Sequence, residues 1–392
     1  MVLLVFVSAC KPPVSLPSVF TYSVGSITRN SAISGGSVTS NGNGTIKAYG
    51  VCYSSNSNPP SLFNSVTIDG SGTNSFTSNL TGLNDSTVYY ACAYATNESG
   101  TAYGQTIRFT TLGFSIREAS ETNSNLFGIY FTDANNGWAV GNGSVLRTVN
   151  GGINWAKKTN PVSSQLNDVC FTSVFSGCAV GYNGAILTTS DSGDTWVPQS
   201  SGVSGTTFFG VCFTNGAGYV VGTNGTILTT TTNGSSWTGQ SSSTTNQLND
   251  VYFTDANHGW AVGSGGTILT TNGGGMWTSQ SVIANNLYGV YFINSTTGWA
   301  VGDNGTILTT TNGGSNWTQQ TSNTTNSLRS IYFINNANGY AVGDNGVILT
   351  TNNAGATWVA QTNGTTKDLH SLGYTSQAVY AVGNGGAILQ LQ

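Results

Sequence analysis

Short apolar runs separated by polar turns run the length of this chain, and between Gly137 and Trp358 one succession is written six times. Each copy opens on an apolar triplet such as Val251-Tyr252-Phe253 or Ile331-Tyr332-Phe333 and passes a polar turn. It continues as Gly-Trp-Ala-Val-Gly or a close variant, crosses a Gly-rich turn and runs on as Thr-Ile-Leu-Thr-Thr. A further Asn/Gly turn then leads to Trp, with Gln three residues later, as in Trp237 and Gln240. These four runs are rich in β-branched and aromatic residues and are bounded by turn formers, so each predicts a short strand. No stretch carries helical periodicity.

The closing tryptophans, Trp155, Trp196, Trp237, Trp277, Trp317 and Trp358, lie 40 or 41 residues apart. So tight a period belongs to a repeat architecture. Four strands in about forty residues make the blade of a β-propeller, whose sheets pack face to face around an axis. The apolar residue opening each unit falls at Leu126, Leu166, Phe208, Leu248, Leu287, Leu328 and Leu369, which predicts seven blades. The seventh runs out of chain after three strands. The alternating segment Phe114 to Ser120 is expected to supply its fourth, removing two exposed strand edges. The propeller is therefore placed at 113–392.

Residues 17–112 lack the repeat. Alternating runs such as 48–54, 65–69, 75–80, 88–96 and 105–111, separated by Asn, Gly, Ser and Pro, predict about seven strands of a β-sandwich. The stretch LTGLNDSTVYYACAYATNESGTAYG, from Leu80 to Gly104, resembles the fibronectin type III pattern of bacterial surface proteins. That resemblance implies a core role for Leu80 and Leu83 and a tyrosine-corner role for Tyr89. Ala91, Ala93 and Ala95 would then face inward, leaving Tyr90, Cys92 and Tyr94 outside. On the same alternation Cys52 points outward on a neighbouring strand. Cys52 and Cys92 are thus either a cross-strand disulfide or two free thiols.

The first ten residues, MVLLVFVSAC, resemble a bacterial lipoprotein signal, with Cys10 as the lipidated residue and 1–16 as signal and tether. No Lys or Arg precedes the apolar run, which departs from that pattern, and a buried first strand is the other reading. At nine residues the run is too short to span a bilayer. Export fits the cysteines. In the second unit Cys170 and Cys178 replace the aromatic pair found on adjacent strands elsewhere, which predicts a hairpin disulfide. Cys212 is expected to be a free, mostly buried thiol.

Only 6% of the residues are charged and the net charge is −4, so Asn, Thr, Ser and Gly must provide solubility. Ten Lys and Arg across the chain give no basic stripe for a phosphate backbone, which argues against nucleic acid as a partner. The turn from Thr189 to Trp196 matches the Asp-box found in sialidases and other propellers, and Asn150, Thr232, Asn272, Asn312 and Asn353 take the place of Asp191 in other units. An acidic or amide side chain there bonds turn amides, a structural role. Glu98, Glu118 and Glu121 all precede the first blade, and Arg147 and Arg329 are the only arginines after residue 125. A sialidase needs more of both. His258 has no second His or Cys at ligand spacing, so no metal and no cofactor are expected.

The repeat as a whole resembles the photosystem II assembly-factor propellers, whose units carry the same GWAVG, GxIL and Trp-strand pattern. That resemblance implies the fold. The arginine cluster marking the partner face of those proteins is absent here, so the photosynthetic role does not transfer. Positions that vary between blades are the better ligand candidates. Immediately after each opening residue stand Phe127-Gly128, Asn167-Asp168, Phe209-Gly210, Asn249-Asp250, Tyr288-Gly289, Arg329-Ser330 and His370-Ser371. With the first strand innermost these ring one channel mouth, and Asp168, Asp250, Tyr288, Arg329 and His370 are the candidate binding residues.

The expected function is a non-enzymatic binding or assembly scaffold, a monomer exported to the outer membrane or cell surface as a lipoprotein, or otherwise secreted. Its partner would be a protein or glycan of the cell envelope, with the membrane met only through the lipid. The alternative is a carbohydrate-binding or glycoside-active propeller using Asp168 and Asp250.

Overall fold

A computed structural model of the chain describes residues 11–391 apart from 85–86, 113–114, 119–121, 282–283, 362–363 and 377. Cys10, Phe114 and Glu121 lie outside the described residues. Two compact units divide the chain between residues 113 and 114.

In the first unit two antiparallel sheets share one core. Ser18–Thr21, Ser31–Ser40 and Ser75–Thr81 form one sheet. Ser65–Val66, Ala48–Ser54, Val88–Asn97, Gly100–Tyr103 and Ile107–Thr110 form the other. Alternation selects the inward faces: Phe76 and Leu80 from the first sheet meet Val51, Ala91, Ala93 and Ala95 from the second. Tyr89 stacks on Phe109 and its hydroxyl accepts the Asn84 amide at 3.0 Å, tying the strand to the turn before it.

The face expected to be exposed is covered. The connection after Ser54 folds back, so that Thr67 donates its amide to the Val51 carbonyl and accepts the Tyr94 hydroxyl at 2.8 Å. Gly50 permits this approach, because a Cβ there would lie 2.1 Å from the Thr67 carbonyl oxygen. Cys52 and Cys92 are consequently fully buried. They oppose each other in register, yet both are free thiols, and the Cys92 thiol donates to the Pro60 carbonyl at 3.4 Å.

The second unit contains seven four-stranded antiparallel sheets among the described residues. Blades one to six occupy 126–158, 166–199, 208–240, 248–281, 287–320 and 328–360. Blade seven joins Leu369–Tyr374, Val379–Gly383 and Ala387–Leu391 to Ser115–Glu118. That early strand pairs antiparallel with the last one, Ile116 opposite Leu389. Successive first strands pack side by side, and the seventh packs against the first, so the blades close into a ring.

Most blade interfaces are built from the same parts. At the join of blades four and five, Trp260, Val262 and Ile268 pack on Leu287, Val290, Phe292 and Trp317. Trp260 stacks on Phe292 at 3.5 Å, and Trp299 stacks likewise on Phe333 at 3.6 Å. Such pairs contribute about 0.5–1.5 kcal/mol beyond their buried area. Trp138 and Trp260 also donate their indole N–H to Ser192 and Gly313 of the next blade's outer turn, each at 2.9 Å. Tyr380 of blade seven reaches Gly151 of blade one in the same way, sealing the ring.

The outer turns show why Asp, Asn or Thr recurs there. Asp191 Oδ1 accepts the Thr195 amide at 2.9 Å, while Thr189 Oγ1 accepts the Gly193 amide at 2.9 Å. Hydrogen bonds from the Thr195 hydroxyl and amide hold the Asp191 carboxyl down at about 2. Asn150, Thr232, Asn312 and Asn353 repeat the staple. Asn272 does not. The turn of blade four is one residue shorter, so the ladder runs on through Thr271–Trp277 and Asn272 pairs with His258 instead. Thr271 Oγ1 is left buried without a partner.

The disulfide expected between Cys170 and Cys178 is not formed. The two oppose each other in register as expected but are free, buried thiols packed with Val180, Phe208 and Val211 at the join with blade three. A disulfide requires a steep dihedral that side chains standing parallel across a ladder meet poorly. Burial pushes both thiols above their usual range. Cys212 is also free, and burial pushes it up to about 12.

Candidate binding site at the channel mouth

Every first strand carries a bulge at one position. The ladder steps from Leu126 to Gly128, from Leu166 to Asp168 and likewise around the ring, leaving residues 127, 167, 209, 249, 288, 329 and 370 without a ladder partner. A bulge turns its side chain away from the sheet. The variable positions are thereby presented at one mouth of the channel, beside the turns joining second and third strands. The sequence read which residues gather here; it did not show the bulge that presents them.

Not all of them are free to bind. Asp168 and Asp250 are clasps between blades. Asp168 accepts the Val169 amide at 2.8 Å and the Val211 amide of blade three at 2.9 Å. Asp250 repeats this with Val251 at 2.8 Å and with Val290 of blade five at 2.9 Å. The preceding residues join in: Asn167 donates to the Phe208 carbonyl at 2.6 Å and Asn249 to the Leu287 carbonyl at 2.7 Å. Between blades six and seven Ser330 does the same work, accepting the Leu372 amide at 3.2 Å. Burial pushes Asp168 up to about 7 and Asp250 up to about 8, the latter assisted by the Asp168 charge.

The remaining candidates form one row over blades five, six, seven and one. Arg329 lies over the Tyr288 ring at 4.2 Å and pairs with Asp344 through Nε and Nη2, both at 2.8 Å. This fork-on-carboxylate geometry fixes the guanidinium plane and leaves the Nη1 edge outside the pair. His370 packs against Phe127 with ring centroids 4.8 Å apart. Its Nε2 donates to Asn384 Oδ1 at 2.8 Å, and Asn384 Nδ2 donates to Asp368 at 3.0 Å. Burial outweighs that hydrogen bond and holds the imidazole below its usual pKa, so it is neutral at pH 7. Asp303 accepts Asn286 at 2.8 Å and Ser327 at 3.0 Å beside Tyr288.

Asp303, Asp344, Asp368 and Asn384 are site residues the sequence reading passed over. For Asp303 and Asp344 the signal was present in the Gly-Asp-Asn-Gly runs at 302–305 and 343–346, but hairpin turns favour the same residues for their backbone geometry; Asp368 and Asn384 lie outside those runs. Deeper in the channel, Tyr252, Tyr291, Tyr332 and Tyr374 stack in succession at 5.0, 4.6 and 5.3 Å, and burial raises the first three phenols. No cluster of metal-binding side chains occurs among the described residues. His258 pairs with Asp255 at 2.9 Å in an exposed turn.

Solved structures carry the same architecture. A structure of YCF48 bound to D1 peptide aligns over 72% of this chain and 96% of its own, at 18% identity and a TM-score of 0.61. YCF48 from Cyanidioschyzon merolae aligns over 71% and 99%, at 19% identity and a TM-score of 0.60. A streptogramin B lyase reaches a TM-score of 0.63 at 14% identity over 71% of this chain and 97% of its own, so at this distance likeness shows fold alone. No curated protein matches the chain. The family model described as photosynthesis system II assembly factor YCF48 matches residues 159–244 and 276–391, just over half of the chain. Its span covers the bulged mouth strands of blades two, three, five, six and seven, and on that match the chain belongs to the YCF48 family.

Proposed function

We propose that this protein is a non-enzymatic scaffold that binds a segment of another protein at the channel mouth of its propeller, over blades five to seven and one. The observation that carries the reading is the row Tyr288, Arg329, His370 and Phe127, whose side chains are presented by bulges and held by Asp344 and Asn384. Fixed aromatic and guanidinium groups of this kind anchor protein interfaces. Family membership supports it, since a YCF48 relative is described as bound to D1 peptide. A glycosidase would need two carboxyl groups available to substrate. Asp168 and Asp250 instead hold backbone amides across blade joins, which disfavours that alternative.

In the same reading residues 17–112 are a fibronectin type III-like spacer, and 1–16 with Cys10 are a lipoprotein signal and tether placing the propeller at the cell surface. The Tyr89 hydroxyl bond to the Asn84 amide supports the first part, being the contact a tyrosine corner makes. Affinity capture from native cell-envelope extract tests the proposal, comparing the protein with its Tyr288→Ala/Arg329→Ala variant. A partner retained by the first and lost by the second is expected. Equal retention would place the binding surface elsewhere.

A further inference from the structure

We propose that the mouth selects a lysine- or arginine-bearing, extended peptide segment and rejects an acidic one, with Asp344 as the positioning residue that sets this preference through Arg329. The inference rests on the mouth being the binding site and names the chemistry of its occupant.

Charge at the rim of the mouth gathers on one side. Among the described residues, the turns joining second and third strands in blades one to four and the linkers between those blades carry no charged residue, whereas the same rim over blades five to seven brings Asp303, Asp344, Asp368, Arg329 and Lys367. Arg329 is the one cation in the bulge row, and its bidentate bond to Asp344 cancels its charge. What remains is a planar donor edge with no net attraction for a carboxylate, suited to a peptide carbonyl. Asp303 and Asp368 are carboxylates held in place by neighbouring amides and a hydroxyl, with no cationic side chain among the partners these bonds provide. His370, neutral and donating from Nε2, adds no positive charge and leaves Nδ1 as an acceptor.

Aromatic rings complete the surface, Tyr288 at one end of the row and Phe127 at the other. A cationic side chain entering between them meets carboxylates and π faces together, the combination that favours ammonium and guanidinium groups. An acidic segment meets the same carboxylates as repulsion and finds the one cation of the bulge row already paired. Asp344 thus acts through Arg329: it fixes the guanidinium and removes its charge from the balance.

The test is selection of short random peptides displayed on phage against the full-length protein, with the Tyr288→Ala/Arg329→Ala variant as counter-selection. Enriched peptides are then remade, alongside versions with each Lys or Arg replaced by Glu, for fluorescence anisotropy at low and high salt. Enrichment in Lys and Arg is expected, with the Glu versions binding about tenfold or more weakly at low salt and the gap narrowing as salt rises. In Asp344→Asn, freeing the Arg329 charge should shrink the gap several-fold by strengthening the Glu versions. Asp368→Asn, which leaves the Arg329 pair intact, should weaken the basic peptides without strengthening the acidic ones, and urea midpoints of both variants report folding. Mouth-dependent enrichment of acidic peptides, or a preference unchanged in both variants, would overturn the charge assignment while leaving the mouth as a binding site. Failure to enrich any peptide over the counter-selection would overturn the binding reading and this inference with it.

Discussion

Replacing Asp168 tests the assignment of the channel carboxylates as clasps rather than ligands. Asp168→Ala leaves the amides of Val169 and Val211 without their acceptor. A buried, unpaired amide costs about 1–3 kcal/mol, and water entering from the mouth offsets part of this, so a loss of roughly 2–4 kcal/mol is expected. Asp168→Ser imitates the arrangement in which Ser330 accepts the Leu372 amide, and should recover about half of it. Charge adds a signature in pH. The Asp168 carboxyl titrates near 7 in the folded protein against an ordinary 3.8, so between those values the folded state keeps a proton the unfolded chain has released. Stability from this group therefore rises as pH falls from 8 towards 4 and is lost as pH rises through about 7. Discounted for a half-buried side chain, the change from pH 8 to 5.5 is about 1–2 kcal/mol. Urea unfolding of the protein and of Asp168→Ser at both pH values reports it, because the difference between the two removes the opposing contribution of His370 and leaves that of Asp168 together with the part of the Asp250 shift its charge causes. The wild-type protein should gain on the variant as pH falls. A difference that is flat, or that shrinks on acidification, would refute the burial shift, which the two clasp hydrogen bonds oppose, and an Asp168→Ala midpoint equal to wild type would refute the clasp itself.

Three further outcomes follow from the blades. Thr271→Val should leave stability unchanged or raise it, since that hydroxyl is buried without a partner, whereas Thr310→Val removes the staple to Gly314 and should cost about 1–2 kcal/mol in the same urea assay. Arg117→Pro, at the register position where Gln361 donates its amide to Ile348 in blade six, deletes a ladder donor in the strand that closes blade seven and should lower stability by roughly 3 kcal/mol while promoting aggregation through the exposed edge, visible by light scattering. A thiol count on denatured, unreduced protein should find Cys52, Cys92, Cys170, Cys178 and Cys212 all reactive, and a deficit of two would restore a disulfide.

The ring was legible because the period is repeated: six tryptophans at near-constant spacing define the blade, and the missing fourth strand of the seventh points back to the segment before the first. What stayed hidden depends on contacts between blades, which a repeat does not encode. Asp168 and Asp250 stood out as variable acidic positions, but only the close approach of the Val211 and Val290 amides makes them clasps. Asn272 matched its column by residue type, yet a turn one residue shorter removes the staple. Cys52 and Cys92 were placed correctly opposite each other; the chain that buries them comes from a connection whose path alternation does not predict. The site itself was half visible: Tyr288, Arg329 and His370 are variable members of one column, whereas Asp344 and Asn384 sit in turns where their residue types are already favoured.

Hydrogen–deuterium exchange on the protein with and without its captured partner tests the central claim most directly, by asking which face the partner covers. Protection confined to the mouth segments of blades five to seven and one, around residues 126–128, 286–288, 302–305, 327–330, 343–346 and 368–371, is the predicted result. Protection of the outer turns around Asn150, Asp191 and Asn312 instead, with the mouth unchanged, would contradict it.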